Sequence, residues 1–152
     1  MKLAFFIAAL VAFFYLTEAD DIYKPNPTIG PYCPKTCHKV FVCDKYKVEK
    51  IWSIVDNQCR VFQNQCYLDR FNCERINQCL PTVGPNTIPD CERHCNFACP
   101  SMGFGVCATF YKQFGSIVFK MTFTSKCHLD QYACQNGVAY SPDEVTLGPC
   151  PP

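Results

Sequence analysis

The chain lacks the features that mark several common functional classes. No run of lysine and arginine occurs, and 14 basic residues face 13 acidic ones, which leaves a formal net charge of +1. That balance argues against electrostatic binding to nucleic acid or to an acidic membrane surface. No G-x-S-x-G sequence is present, and Ser101 has no His/Asp partner that a motif would identify. We therefore expect that the protein is not an enzyme.

Metal-binding and glycosylation motifs are also missing. No C-x2-C pair occurs, and the three histidines, His38, His94 and His128, lie at or near cysteines. Those cysteines are better explained as disulfide partners, so we expect no metal and no other cofactor. Asn26 is followed by Pro27, and no N-x-[Ser/Thr] sequon remains, so N-glycosylation is not expected.

Only one long apolar run is present, at residues 3–16, after the basic start Met1-Lys2. It is shorter than the roughly 20 residues that a membrane-spanning helix needs. Thr17 and Ala19 place small residues before a cleavage point, which predicts a secretory signal peptide over residues 1–19. We expect a secreted, extracellular protein with no membrane span.

Cysteine is the residue that the chain has in excess, with 14 among 152 residues. An even number at this density indicates disulfide bonds formed in an oxidising compartment. We expect all 14 to be paired.

Proline and glycine divide the mature chain into two cysteine-rich blocks. Residues 20–32 contain three prolines and form an N-terminal leader, and residues 80–90 form a Pro/Gly-rich linker. The blocks then span residues 33–79 and 91–150. Chains this short bury too little surface to be stable by packing alone, so disulfides must contribute much of the stability.

The two blocks repeat one plan. The stretch FQNQCYLDRFNC at 62–73 matches FTSKCHLDQYAC at 123–134, and six cysteines correspond in each block. The first set is Cys33, Cys37, Cys43, Cys66, Cys73 and Cys79. The second set is Cys95, Cys99, Cys107, Cys127, Cys134 and Cys150. Cys59 and Cys91 are left over.

The spacing within the repeat predicts local structure. Cysteines seven residues apart lie on nearly the same helix face, so we expect a short helix in each block, with Asn64 or Ser125 capping its start. The segments 44–65 and 108–126 are rich in β-branched and aromatic residues, which predicts a β-hairpin in each. A rival register would pair Cys59 with Cys66 on the helix and use Asn57 as the cap. We prefer the first register because both blocks share the Leu-Asp-x-aromatic string.

These residues resemble the Kazal family. The shared order is C-x3-C, a short loop, Val-Cys, a hairpin segment, aromatic-x-[Asn/Ser]-x-Cys, x-Leu-x4, Cys and, in the second block, Gly-x-Cys. The closest form occurs in agrin, in follistatin-type modules and in many insect secreted proteins. The resemblance implies a small disulfide-rich α+β fold of two Kazal-like modules, each a short helix packed on an antiparallel hairpin or small sheet.

The second block is the better match, and its ending EVTLGPC resembles the last strand of the family. The first block is divergent, because only five residues separate Cys37 from Cys43 and only five separate Cys73 from Cys79. We expect its final strand to be absent.

The resemblance also implies the disulfide pairing, which runs first to fifth, second to fourth and third to sixth. In the first block the implied pairs are Cys33–Cys73, Cys37–Cys66 and Cys43–Cys79. In the second block they are Cys95–Cys134, Cys99–Cys127 and Cys107–Cys150. Six cysteines by themselves allow 15 pairings, so this connectivity comes from the resemblance.

Kazal inhibitors present a rigid loop whose specificity residue lies two places after the second cysteine. In this chain the resemblance places Lys39 and then Val40 in the first inhibitory loop, and Ser101 and then Met102 in the second. Lysine suits the acidic specificity pocket of a trypsin-like protease. Asn64 matches the asparagine that supports the loop from behind.

Ser125 stands at the corresponding position of the second block, where it is a shorter support. The resemblance thus implies a secreted serine protease inhibitor that acts by substrate-like binding, with an extracellular trypsin-like protease as its partner. The alternative is a non-inhibitory extracellular binding or signalling protein of a salivary, venom or reproductive secretion, with another extracellular protein as its partner. We expect a monomer in either case.

Parity predicts a bridge between the blocks. Each block carries seven cysteines, so complete pairing within one chain needs at least one disulfide from block to block. Cys59 and Cys91 are the unmatched residues and are expected to form it. The competing outcome is a covalent dimer through either residue.

Overall fold

The computed structural model describes residues 33–112 and 116–151, apart from the side chains of Ile117 and Val118. The predicted signal peptide and leader lie outside the described residues. The described chain is a small α+β structure with seven disulfides and antiparallel sheets.

Each block forms the predicted hairpin followed by the predicted helix. In the first block the elements are β1 (Ile51–Val55), β2 (Gln58–Phe62) and α1 (Gln65–Asn77). In the second they are a short helix α2 (Ile88–Glu92), then β3 (Val106–Tyr111), β4 (Ile117–Phe123), α3 (Lys126–Gln135) and β5 (Thr146–Leu147).

The helix caps confirm the preferred register. The Asn64 side chain accepts a hydrogen bond from the Tyr67 amide at the start of α1, and Ser125 accepts one from His128 at the start of α3. These bonds satisfy backbone donors that the first helical turn leaves unpaired. The rival register is wrong, because Cys59 lies in β2 and Asn57 lies in the turn before it, at φ 65°. The left-handed pair Asp56 and Asn57 forms the tight two-residue turn that suits a twisted hairpin.

The two sheets differ by one strand. β1 and β2 pair alone, from Ile51 opposite Phe62 to Val55 opposite Gln58. The second sheet has the order β4-β3-β5, with Val106 opposite both Phe123 and Leu147. The strand expected near the end of the second block is therefore confirmed. Within the described part of the first block no third strand follows α1, also as expected.

All 14 cysteines are paired, and four of the seven expected bridges are confirmed. The bridge between blocks joins Cys59 to Cys91 with a Cα separation of 5.1 Å. The confirmed bridges of the second block are Cys95–Cys134, Cys99–Cys127 and Cys107–Cys150.

The pairing expected in the first block is wrong. The expected pairs were Cys33–Cys73, Cys37–Cys66 and Cys43–Cys79, and the observed pairs are Cys33–Cys79, Cys37–Cys73 and Cys43–Cys66. The observed bridges are nested, so the segment 33–43 runs antiparallel to α1 as a three-rung ladder.

The short end of the first block explains the difference. In the second block, fifteen residues after Cys134 allow the chain to form β5 beside β3 and bring Cys150 to Cys107. After Cys73 only five residues precede Cys79, and the first four of them complete α1. Cys79 therefore stays at the end of the helix, where Cys33 is its partner.

The described residues from Cys33 onward form one compact unit. The segment that was expected to be a linker lies against the first block, because Asn86 exchanges hydrogen bonds with the backbone of β1 and Ser53 donates to the Gly84 carbonyl. A shared core lies at the junction of the blocks and includes the Cys59–Cys91 and Cys95–Cys134 disulfides. Its buried members are Trp52, Cys59, Val61, Cys91, Cys95, Cys134 and Ala139.

Two acidic residues near the C-terminus bind the first block. Asp143 and Glu144 lie in a single 3-10 turn, Pro142–Glu144. Glu144 accepts a hydrogen bond of 2.6 Å from the Lys45 ammonium and another from the Tyr111 hydroxyl. Asp143 pairs with Arg70 at 2.6 Å. The Lys45 contact holds the chain just after Cys43 against the second block, and the Arg70 contact holds α1 against it.

The Lys45–Glu144 pair shifts the pKa values of the groups that form it. Burial acts to raise the pKa of Glu144, but hydrogen bonds from Lys45 and Tyr111 outweigh it, and the pKa falls below its ordinary value. The bond to Glu144 raises the pKa of Lys45. Burial, together with the bond to Glu144, raises the pKa of Tyr111 to about 12.

These shifts predict acid sensitivity that depends on Glu144. Because its folded-state pKa lies below the ordinary value of 4.5, ionised Glu144 stabilises the folded state above that value, and the stabilisation is lost as the pH falls through the folded pKa. We expect wild type to lose more unfolding free energy than Glu144→Gln between about pH 5 and pH 3. Guanidinium unfolding at several pH values measures this. Glu92→Gln, which alters an exposed acid, should follow wild type, and equal pH slopes for wild type and Glu144→Gln would contradict the prediction.

Candidate inhibitory loops

The first candidate loop is residues 38–42, which lie outside any helix or strand. Lys39 is exposed, and the side chains of Val40 and Val42 are 91% and 93% exposed. Phe41 is only half-buried. The predicted specificity residue and its successor are therefore both open to a partner.

Both ends of this loop are tied to one helix. Cys37 binds Cys73 and Cys43 binds Cys66, with Cα separations of 5.3 and 5.5 Å. The two helical cysteines are seven residues apart, which is about 10 Å along a helix axis. The chain from Cys37 to Cys43 can reach about 20 Å when extended. The segment is thus long enough to extend away from the helix between its two attachments, which is consistent with the exposure of Lys39, Val40 and Val42.

Asn77 fixes the backbone at the beginning of the loop. Its side chain accepts a hydrogen bond of 2.8 Å from the Cys37 amide and donates one of 3.0 Å to the Cys37 carbonyl. Asn77 lies one turn after Cys73, the disulfide partner of Cys37. One residue, Cys37, which lies two positions before Lys39, is thus held by a disulfide and by two hydrogen bonds.

The loop backbone itself is unpaired. Within the described ranges, no main-chain N–H or C=O of residues 38–42 has a hydrogen bond to another protein group. A short exposed segment with free main-chain donors and acceptors can pair with the edge of a partner in the way an added β-strand does.

Asn64 lies elsewhere than the resemblance implied. Its side-chain amide donates to the carbonyl of Asp44 at 2.9 Å and to that of Lys47 at 2.8 Å. Both carbonyls follow Cys43, so Asn64 holds the chain beyond the loop while it caps α1. The group that contacts the loop's entry is Asn77.

The second candidate loop, residues 100–105, is exposed along most of its length. Ser101 is exposed, and Met102 and Phe104 are 89% and 86% exposed. Cys99 anchors the loop through Cys127, in the first turn of α3.

Gly103 contacts the start of α3. A Cβ atom added at Gly103 would lie 2.6 Å from the Cβ of Ser125, which is closer than real side chains approach. Only glycine therefore allows the loop to approach the helix cap this closely. Ser125 supports the loop by this contact, and its hydroxyl is engaged with His128.

One group of cysteines resembles a metal site by distance alone. The sulfur atoms of Cys59, Cys95 and Cys134 lie within 4.8 Å of one another. Cys59 is bonded to Cys91 and Cys95 to Cys134, so these sulfurs belong to two disulfides. Zinc binds thiolates, which disulfide sulfurs cannot provide.

No protein-family model, curated protein or solved structure matches this chain. The functional inference therefore depends on the loops described above and on the resemblance in the cysteine pattern.

Sequence reasoning missed Asn77. The available signal was an asparagine four residues after Cys73, which helix geometry places on the same face as that cysteine. Its importance emerges only with the observed pairing, because Cys37 would lie near the other end of α1 if it were bonded to Cys66.

Asn77→Ala should loosen the entry to the first loop. Loss of a net hydrogen bond of about 1 kcal/mol predicts roughly fivefold faster amide exchange at Cys37. Hydrogen exchange followed by NMR measures this directly. The matched control is Asn72→Ala, because Asn72 makes the same two bonds to the Val83 backbone, each at 2.8 Å. Asn72→Ala should speed amide exchange at Val83 and leave the exchange rate at Cys37 unchanged. An unaltered exchange rate at Cys37 in Asn77→Ala would contradict the proposed role of Asn77 in holding the loop's entry.

Proposed function

We propose that this chain is a secreted serine protease inhibitor that presents residues 38–42 as a substrate-like loop, with Lys39 as the specificity residue. The observation that carries the proposal is the double attachment of this loop to α1, with Lys39 and Val40 exposed between the anchors. A loop held at both ends loses little conformational freedom on binding, which favours affinity.

The chemistry of Lys39 supports a trypsin-like target. A long apolar stem with one terminal charge suits a deep pocket with a carboxylate at its base. The unpaired loop backbone supplies the main-chain groups that a protease cleft binds in an extended substrate. Ser101 of the second loop would suit only a small pocket, so the first loop carries the proposed activity.

The disulfides support an extracellular location. Seven bridges and no free cysteine are consistent with an oxidising compartment, where such bridges persist. In the part of the chain that the structure describes, no helix is long and apolar enough to span a bilayer.

The second block supports a Kazal-like arrangement. Its three disulfides have the order that the resemblance implied, and its hairpin, helix and final strand occur in the matching sequence. We propose that it is one Kazal-like module and that the first block is a divergent copy. In the first block the nested ladder replaces the missing final strand as the means of holding the loop.

A specific observation favours the second candidate, a non-inhibitory binding protein. Of the eight large apolar side chains that are exposed in the described chain, four lie on the two loops. They are Val40, Val42, Met102 and Phe104. Apolar side chains at such exposed tips are typical of protein-binding surfaces, and they do not require the partner to be a protease.

Lys39→Ala distinguishes the two candidates. Because a specificity residue is an energetic centre of such an interface, we expect the trypsin inhibition constant to rise at least about 30-fold, which corresponds to about 2 kcal/mol. Lys35→Ala, at an exposed lysine before Cys37, should inhibit as wild type does. Inhibition assays against trypsin, chymotrypsin and elastase measure both. Full inhibition by Lys39→Ala would remove this residue from the mechanism, and no inhibition of any of the three proteases by wild type would favour the second candidate.

A further inference from the structure

A cavity of about 190 Å³ lies where the two blocks meet. Its wall combines β2 and α1 of the first block with α3 and the chain after it in the second. The cavity is thus assembled only when both blocks are in place. It lies apart from both candidate loops, since its lining includes no residue of 38–42 or 100–105.

Aromatic rings form much of the wall. Phe62 and Phe71 pack with ring centroids 5.2 Å apart, and Tyr67 and Tyr140 contribute further rings. The Tyr140 hydroxyl is held by Asp130 and Lys126, so that ring is fixed in place. Such walls favour a flat apolar ligand, which can stack against the rings or meet them edge-on.

The charged groups of the lining include one arginine without a hydrogen-bonded partner. The chain has four arginines, and the other three each bind a carboxylate: Arg70 to Asp143, Arg75 to Asp56 and Arg93 to Asp90. Within the described residues, Arg60 makes no hydrogen bond, and its buried Nε atom has no acceptor. Arg60 has one long ion pair, in which its Nε atom lies 4.0 Å from a carboxylate oxygen of Asp130.

Asp130 is already engaged by other groups. It accepts hydrogen bonds from the Lys126 ammonium at 3.1 and 3.2 Å and from the Tyr140 hydroxyl. The Arg60 guanidinium instead lies over the ring of Phe71, 5.5 Å from its centroid, which fixes its plane beside the aromatic wall. The buried Nε–H therefore has a fixed direction and no hydrogen-bond acceptor, which is costly, while the side chain as a whole is 31% exposed and open to a ligand.

From this arrangement we infer that the cavity binds a small aromatic monocarboxylate, with the carboxylate on Arg60 and the ring against Phe62, Phe71 and Tyr140. Arginine offers two parallel N–H donors that match the two oxygens of a carboxylate. An apolar cavity of about 150 Å³ holds a benzene molecule, so the present volume admits one ring and a short acidic chain. The inference does not depend on the proposed inhibitor function.

The charges of the lining favour a carboxylate over an amine. Three cations line the cavity, Arg60, Arg70 and Lys126, and Arg70 and Lys126 are already paired with Asp143 and Asp130 at 2.6 and 3.1 Å. Arg60 is the lining cation whose buried Nε atom has no hydrogen-bond acceptor among the described residues. An amine with the same ring would place its cation beside the Arg60 guanidinium, and like charges at close range repel.

Fluorine NMR with 4-fluorophenylacetate tests the proposal on the whole oxidised protein. We expect saturable broadening or shift of the fluorine signal with a dissociation constant of roughly 1 mM or lower, as a small ligand of this size allows. Backbone amide shifts in labelled protein should concentrate at 60–62, 67–74 and 140–142. 4-Fluorophenethylamine and fluorobenzene have the ring without the carboxylate, and both should bind at least about tenfold more weakly.

Arg60→Gln should weaken 4-fluorophenylacetate at least about tenfold while leaving the weak binding of fluorobenzene unchanged. Arg60→Lys keeps the positive charge but lacks the two parallel donors. Its affinity for 4-fluorophenylacetate should therefore fall between those of wild type and Arg60→Gln. Arg93→Gln is the matched control, because Arg93 is exposed on the short turn after α2 and does not line the cavity. A disulfide map and a circular dichroism spectrum show whether each variant is folded.

Three results would overturn the proposal. The first is no saturable binding of 4-fluorophenylacetate to wild type. The second is equal binding of the amine and the carboxylate. The third is unaltered affinity in both folded Arg60 variants. Selective binding that is lost in Arg60→Gln and retained in Arg93→Gln supports it.

Discussion

The three nested disulfides of the first block are the constraint on which the candidate loop depends. They tie the segment 33–43 to α1 at successive positions, so the direction of that segment is set by the helix. The chain between the second and third bridges is longer than the spacing of the two helical cysteines that anchor it, and Lys39 is exposed between these anchors. Asn77 then holds the backbone at the loop's entry. A helix with two covalent attachments, and a third just beyond its end, thereby supports a loop in a block whose described part has two strands.

The junction between the blocks is the second constraint. The Cys59–Cys91 bridge, the shared core around Trp52 and the two acids of the C-terminal turn hold the blocks together in one unit. The linker is bonded along the first block as well. The cavity that Arg60 lines is built from residues of both blocks, so it is a property of the pair of blocks and not of either repeat.

Local features of this fold were predictable from the sequence, and long-range ones were predictable only in part. The seven-residue cysteine spacing and the caps Asn64 and Ser125 predicted both helices, because capping and helix periodicity act within a few residues. Parity predicted the Cys59–Cys91 bridge. The pairing of the first block was not predictable, since spacing does not state in which direction the segment 33–43 runs along α1. The role of Asn77 and the position of Arg60 in the cavity wall, where its Nε atom has no hydrogen-bond acceptor, depend on that long-range packing, and no local pattern reports them.

Disulfide mapping of the first block tests the nested ladder most directly. Trypsin acting on the denatured, unreduced protein can cut after Lys35, Lys39, Arg70 and Arg75, among other sites, and so separates the relevant cysteines into different peptides. Mass spectrometry should find peptide 36–39 joined to 71–75 and peptide 40–45 joined to 61–70. Peptide 36–39 joined instead to 61–70 would mean that Cys37 is bonded to Cys66, and would contradict the account of how the loop is held.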